Sequence, residues 1–347
     1  MKQIRLAVAG AGLIGKRHID AITQCPEAEL VGVVDPHSAA AAYASSLGVK
    51  RFDCISEMLA HDRPDGVIVA TPNQLHVEHG LACINAGIPV LIEKPISSDV
   101  RSARRLVREA EATGVPILVG HHRRHNPIIT AAKARISNGA IGKIVAVHGI
   151  CWLYKPDGYF GVDWRRQPGA GPVLINLIHD IDLLRYLCGE VRAVQAFDSN
   201  RVRGQQVEDT AAIIMQFENG ALATVSVSDT IVAPWSWELT AGENPAYPKT
   251  EQSCYYVGGT HGSLEIPGNT VWSNPSQRSW WEPINSESFQ VDDQDPLRVQ
   301  LGHFCRVISR TEEPLVSGWE GLRTLQVIEA IKNAGNSGAL VSLAGSE

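Results

Sequence analysis

The chain reads as a two-part protein. A doubly wound parallel α/β sheet comes first, and an α+β region with a largely antiparallel open sheet and helices on one face follows it. Three observations predict this. Short apolar runs alternate with helix-like stretches over the first 120 residues or so. Strand-like runs then follow one another with no helix between them. Within those runs, Asn219-Gly220 separates two β-like stretches, which is the strongest short hairpin signal a sequence offers. Alternating strands and helices imply right-handed crossovers and a parallel sheet, whereas consecutive strands imply antiparallel pairing.

The elements follow in order. Ile4–Ala9 is a buried strand ending in glycine, and Gly15–Gln24 is a helix stopped near Pro26. Ala28–Val34 is the second strand, and Ser38–Leu47 an Ala-rich helix ended by Gly48. Ile55–His61 is a short helix and Gly66–Ala70 a third strand. Leu75–Ala86 is a helix with Gly87 just past its end, the position where a left-handed residue stops a helix. Val90–Ile92, the helix Val100–Thr113 and Ile117–Gly120 complete this part. Beyond it, Pro127–Asn138 is a helix, Lys143–Trp152 a long strand and Pro172–Leu187 a helix carrying aspartates and a histidine. Strands are predicted at Ala193–Phe197, Thr210–Phe217, Ala221–Ser228, Ser236–Ala241, Tyr255–Val257 and Ser263–Ile266. Pro267–Asp295 shows no periodicity, so no structure is assigned to it. A last helix, Glu320–Asn333, has apolar spacing at Leu322, Leu325, Ile328 and Ile331 and is expected to pack back toward the first domain. The domains are therefore placed at 1–121 and 122–347. Helices on one side of an antiparallel sheet leave its other face to be covered, and a homodimer or homotetramer through that face is the natural solution.

Composition narrows the function. The net charge of −6 comes with no like-charge run, which argues against a nucleic-acid partner. The densest basic stretch, His121 to His125, is too short for such a surface. No stretch approaches the eighteen or so apolar residues of a membrane span. Met1 leads directly into a strand pattern without a secretory signal, so a cytoplasmic protein is expected. The seven cysteines never occur as Cys-x-x-Cys, which speaks against a disulfide framework or a zinc site, and no metal is expected.

Gly10-Ala11-Gly12-Leu13-Ile14-Gly15 is a G-x-G-x-x-G that follows a buried strand and opens a helix. Gly10 permits the tight turn, Gly12 lets the backbone approach a pyrophosphate, and Gly15 lets the helix pack on the sheet. The helix N-terminus offers free N–H groups to the phosphates. Asp35 ends the next strand, where an acid accepts bonds from the adenosine ribose hydroxyls and repels a 2′-phosphate. Pro36, His37 and Ser38 follow it rather than an arginine, so NAD is preferred, with NADP possible.

Further motifs are Thr71-Pro72-Asn73 with His76, Glu93-Lys94-Pro95, Gly171–Asp182 (GPVLINLIHDID) and Gly259–Leu264 (GTHGSL). In this order, over nearly the whole chain, they resemble the Gfo/Idh/MocA family, named for glucose–fructose oxidoreductase and inositol dehydrogenase. The resemblance implies hydride exchange between nicotinamide and a secondary alcohol of a sugar, cyclitol or related polyol. It puts Lys94 at the family's catalytic lysine and His179 at its catalytic histidine. Three residues before that histidine the family usually has Asp; this chain has Asn176, which can hydrogen-bond a hydroxyl but cannot take a proton. Asn176, His179 and Asp180 are spaced to share one helix face. His179 is the candidate base and Lys94 the cation that steadies a developing alkoxide; the reverse assignment stays open. Thr71, Pro72, Asn73, His76 and Glu93 are expected to flank the cofactor. Asp163, Trp164, Arg165 and Arg166 form a polar, aromatic loop suited to substrate, or a plain surface ion pair. Specificity is assigned to the loops near Tyr154–Arg166 and Trp235–Tyr256. A redox-assisted lyase or glycosidase and a non-catalytic dinucleotide-binding sensor are the alternatives.

Overall fold

The computed structural model describes residues 3–343. They form two compact units: residues up to His125 with Gln294–Leu325, and Asn126–Asp293 with the residues from Gln326 on. By packing, the division thus falls four residues after the expected boundary, and Gln294–Leu325 belongs with the first unit.

The first unit is built on six parallel strands, β1 (Ile4–Ala9), β2 (Ala28–Val34), β3 (Lys50–Phe52), β4 (Gly66–Val69), β5 (Val90–Ile92) and β6 (Ile117–Val119). Their order is β3-β2-β1-β4-β5-β6, so the chain reverses direction across the sheet between β1 and β4. Ligands of open α/β sheets bind at that switch point, outside the carboxyl ends of the strands. Five helices connect the strands: α1 (Leu13–Thr23), α2 (Ala39–Ser46), α3 (Ile55–His61), α4 (His76–Asn85) and α5 (Val100–Thr113). The sheet interior is apolar on both faces, with Leu6, Val8, Ile68 and Leu91 fully buried, as a sheet covered by helices on both sides requires. Asp99 caps α5 through the Ser102 N–H, and Gly114 closes it in the left-handed region.

The second unit has α6 (Pro127–Ser137), the strand β7 (Ile144–Trp152), then α7 (Pro172–Ile175) and α8 (Leu177–Cys188). The single helix expected at Pro172–Leu187 is in fact two, broken at Asn176. The remaining strands are β8 (Val191–Ser199), β9 (Thr210–Phe217), β10 (Leu222–Ser228), β11 (Tyr255–Gly259), β12 (Gly262–Ile266), β13 (Thr270–Ser273), β14 (Asn285–Ser288) and β15 (Val341–Ser342). The sheet order is β14-β13-β12-β11-β7-β10-β9-β8-β15, antiparallel throughout except for the parallel pair β7–β10. Asn219-Gly220 makes the expected hairpin: Phe217 N–H donates to Ala221 O at 2.9 Å, and Gly220 has φ 87°. Along β9 burial alternates strictly, with Ala211, Ile213, Met215 and Phe217 inward. These residues join α8 and the C-terminal helix in one core with Trp237 and Tyr255.

Two sequence expectations change, one helix was not foreseen, and one is lengthened. Ser236–Ala241 is not a strand but one helical turn, α9 (Trp237–Thr240), closed by Thr240 Oγ1 donating to Ser236 O at 2.8 Å. The buried Trp237 indole also donates to Glu243, which a solvent-facing alternation would not allow. Pro267–Asp295 is not featureless, since β13 and β14 pair there. Finally, Pro296–Ile308 forms the helix α10, started by an Asp295 cap on Leu297 N–H with Pro296 in the first turn. The last helix, α11, is longer than expected, Gly318–Ser337.

Candidate active site

In the first unit the predicted residues gather at the carboxyl ends of adjacent strands. Gly10 follows β1 with φ 95°, and a Cβ there would lie 2.5 Å from the Ala70 carbonyl oxygen after β4. A side chain on Gly15 would overlap the Gly10 carbonyl, so α1 can close on the turn only through glycine. Gly12 is the contrast: a Cβ there meets nothing within 4 Å, which leaves its backbone open to a ligand. Leu13, 89% exposed, and Ile14 begin α1, whose first turn carries no acid to compete with a phosphate. Asp35 follows β2, and its carboxylate accepts the Ala11 N–H at 2.8 Å and the His37 N–H at 2.9 Å. The first of those bonds ties Asp35 to the glycine turn. Every one of these positions fits a dinucleotide lying across the switch point.

Thr71, Pro72 and Asn73 follow β4, with Asn73–Leu75 in a 3-10 turn ahead of α4. His76 is not on the surface of this loop. It is fully buried, with Nε2 at 2.8 Å from Thr71 O and Nδ1 at 2.8 Å from Pro95 O. Burial pushes its imidazole down, outweighing the upward pull of the two carbonyls. His76 is thus wedged between the Thr71 loop and the Lys94-Pro95 loop, its single ring N–H donating to one of the two carbonyls.

Glu93 is also buried. Its Oε1 lies 2.7 Å from His18 Nε2 on α1, and its Oε2 accepts the Lys94 N–H at 3.1 Å. Burial alone would raise its pKa; the His18 hydrogen bond and the charges of His18, His122 and Lys94 prevail and hold it at about 2. Lys94, half-buried, leaves the end of β5 beside this carboxylate.

In the second unit Asn176 sits between α7 and α8, and its carbonyl accepts the His179 N–H at 3.1 Å. The break between the helices changes the predicted shared face: Asn176 is at the joint, and His179 is in the first turn of α8. Asn176 Oδ1 is buried without a hydrogen-bond partner among the described residues, an atom suited to a ligand hydroxyl. His179 is 8% exposed. The neighbouring Asp180, 1% exposed, accepts the Tyr255 hydroxyl, while the Arg185 fork grips Glu190 at 2.9 and 2.7 Å. Glu208, which the sequence reading passed over, caps α7 by accepting the Val173 N–H at 3.0 Å; burial pushes its carboxyl up. Gly171 is needed for its φ of 94°, a backbone conformation that a side chain would strain; a Cβ there would also displace that carboxylate.

The loop after β7 folds into two 3-10 turns, Asp157–Gly161 and Asp163–Arg166. Arg165 stacks 4.1 Å from the Tyr159 ring and donates to Tyr159 O at 2.7 Å. Trp164 is 53% exposed, and Arg166 forms an exposed ion pair with Asp163. All seven cysteines are free thiols, and burial pushes Cys83, Cys188 and Cys305 up to about 12. Among the described residues no group of acids, histidines and cysteines is placed to hold a metal, and no helix is long and apolar enough to cross a membrane.

Comparison with known proteins agrees with this geometry. Residues 4–121 match "Oxidoreductase family, NAD-binding Rossmann fold", and residues 129–265 match the "GFO/IDH/MocA C-terminal domain". A 1,5-anhydro-D-fructose reductase of Ensifer adhaerens is 26% identical over 340 residues, covering 96% of this chain and 97% of its own. The scyllo-inositol 2-dehydrogenase (NAD(+)) of Bacillus subtilis is 28% identical over 349 residues, covering 98% and 96%. In fold, the chain matches the WlbA dehydrogenase of Bordetella pertussis, solved with NADH and UDP-GlcNAcA. The TM-score is 0.79, with 24% identity and 99% of both chains covered. The glycine turn, the Glu93-Lys94-Pro95 loop and both matched domains place the chain in the Gfo/Idh/MocA family as an NAD-binding oxidoreductase.

Proposed function

We propose that the protein moves a hydride between NAD and a secondary alcohol of a sugar, cyclitol or related polyol. The observation that carries this reading is the shared edge of the first sheet. The glycine turn after β1 and Lys94 after β5 lie at strand ends two places apart, so a cofactor on the turn brings Lys94 to its reactive region. The relatives' names, an anhydrofructose reductase and an inositol dehydrogenase, support the substrate class.

Bound NAD supplies the hydride acceptor, and the rest falls to the side chains. Lys94 holds the substrate oxygen and stabilises its developing negative charge. His179 takes the hydroxyl proton; an imidazole is suited to this near neutral pH. Asn176 holds a neighbouring hydroxyl through its partnerless Oδ1 and, being an amide, takes no part in proton transfer. Thr71, Pro72 and Asn73 border the cofactor, whereas His76 and Glu93 act from beneath by fixing the loops that present it. Asp163, Trp164 and Arg165 border the substrate. Asp35 favours NAD over NADP. The protein works in the cytoplasm, which its free, mostly buried thiols suit. It assembles as a dimer or tetramer through the exposed face of its second sheet.

NADH formation, followed by absorbance with NAD or NADP against inositols, aldoses, sugar acids and glycosides, tests the reading. Turnover of at least one polyol is expected, with Lys94→Ala and His179→Ala each lowering kcat by about 10²- to 10⁴-fold while NAD still binds. Silence across the panel from NAD-loaded protein would refute it.

A further inference from the structure

A cavity of about 870 Å³ in the second unit extends beyond the residues given roles so far, sharing only Asp163 with them. Its walls are the turns after β7, from Tyr154 to Gln167, and the loop joining β8 to β9, from Val202 to Gln206. Arg203 is its fixed point. The side chain is 8% exposed; Nε donates to Asp229 Oδ1 at 2.6 Å, and Nη2 to the carbonyls of Lys155 at 2.7 Å and Asp229 at 2.5 Å. Its guanidinium lies 4.2 Å from the Phe160 ring centroid and 5.8 Å from that of Tyr154. The remaining nitrogen, Nη1, reaches Asp157 at 3.5 Å, and that carboxylate is 93% exposed. The donor is thus held in place from behind, by Asp229 and two backbone oxygens, with one nitrogen turned outward.

The charges on the wall cancel. Arg203, Arg166 and the buried Lys155 are matched by Asp229, Asp163 and Asp157, and the carboxylates of Asp157 and Asp163 lie largely in water. Such exposed pairs are weak, so the carboxylate oxygens remain able to accept hydroxyls. Gln167 and Gln206 add neutral donors and acceptors, and the half-exposed Tyr154 supplies an aromatic surface. A balanced wall of fixed donors and acceptors beside one ring suits an uncharged polyhydroxyl ring; an anion would meet two carboxylates. The volume is near the top of the range for small-molecule sites, more than a lone ring polyol needs.

The cavity has Asp163 on its wall, and its loops are tied to the segment that leads to Asn176. Gln206 N–H donates to Arg166 O at 3.2 Å, and two residues on Glu208 caps Val173. The far wall is therefore stitched to the segment that opens α7, one turn before Asn176.

We propose that this cavity receives a second, uncharged sugar ring, so that the preferred substrate is a glycoside rather than a free monosaccharide or cyclitol. The proposal rests on the sugar-oxidoreductase reading above. It is tested on the full-length protein with NAD, comparing glucose and myo-inositol with maltose, cellobiose, sucrose and a uronic-acid disaccharide. Both kcat/KM and equilibrium binding by calorimetry are measured. The neutral disaccharides should exceed the single rings by about tenfold or more in one or both measures, an advantage of about 1.4 kcal/mol per factor of ten. Asp157→Ala and Tyr154→Ala, both at exposed positions, should bring that ratio close to one. A binding preference without turnover would refute the dehydrogenase reading and keep the cavity. Turnover with single rings equal or better, with the uronic acid best, or with a ratio unmoved by both variants would overturn the cavity proposal and keep the dehydrogenase. Absence of both binding and turnover would overturn the two together.

Discussion

At the scale of single residues, Asp35 has a structural role that the proposed selection of NAD would share. Its two oxygens accept the Ala11 and His37 N–H groups, yet each keeps a lone pair for a ribose hydroxyl. Arg51, from β3, donates to the carbonyls of Asp35 and Pro36, so a guanidinium lies close to the same spot. Arg51 is also paired with the exposed Asp53, a weak pair, so neutralising Asp35 removes the nearer repulsion and lets the cation meet a 2′-phosphate. Asp35→Ser should therefore move the ratio of kcat/KM for NAD over NADP by about two orders of magnitude toward NADP, the size of one or two charge-assisted hydrogen bonds. Steady-state kinetics with both cofactors checks this, and an unchanged ratio would remove Asp35 from cofactor choice. Asp35 was legible in the sequence because a G-x-G-x-x-G turn fixes where the next strand ends. Arg51 was not, because only the pairing of β2 with β3 brings it to Asp35, and β3 is too short to show a period.

At the scale of elements, the buried contact between His18 on α1 and Glu93 after β5 joins the helix behind the glycine turn to the loop that presents Lys94. The fit is close: a Cβ on Gly120 would stand 3.0 Å from both Cα and Cδ of Glu93. A carboxyl held at about 2 when folded, against an ordinary value of 4.5, contributes stability that is full above pH 4.5 and is lost as pH falls through about 2. Glu93→Gln should cost about 1.5–3 kcal/mol at pH 7, the worth of hydrogen bonds to a charged group. It should also flatten the stability profile between pH 4.5 and 2, where the native protein declines. Urea melts across that range measure both, and parallel profiles would place the acid sensitivity elsewhere. Most elements were readable from periodicity and from glycine or proline stops. Each exception has its own cause. The break at Asn176 leaves the apolar spacing of Pro172–Leu187 intact. The turn at Trp237 imitates a strand because its large residue faces inward by chance of position. The helix at Pro296 was announced only by its Asp295-Pro296 start. Glu208 gave no signal at all, since an acid that caps a helix 35 residues away in sequence is visible only once the chain has folded.

At the scale of the whole molecule, the second sheet raises the question of what covers its outer face. The alternation along β9 and the start of β10 puts Ile214 and Leu222 outward at 55% and 54% exposure, with Phe197 on β8 at 67% and Tyr256 on β11 at 39%. The pairing register lines Ile214 up with Thr224, His148 and Tyr256 across four neighbouring strands, so the apolar groups share a broad surface interrupted by small polar ones. That mixture is typical of an interface between copies, which is more apolar than free surface but not a core. A two-fold pairing would set the face against itself, so a charge placed on it is repeated across the interface and repels its own copy. Ile214→Glu with Leu222→Glu should therefore convert the assembly to a monomer, read as a halved or quartered mass by light scattering after gel filtration. The fold itself should be little affected, since exposed substitutions typically change stability by about 0.5 kcal/mol or less. A native protein that is already monomeric at micromolar concentration, or a double variant that keeps its mass, would show that this face is not where copies meet.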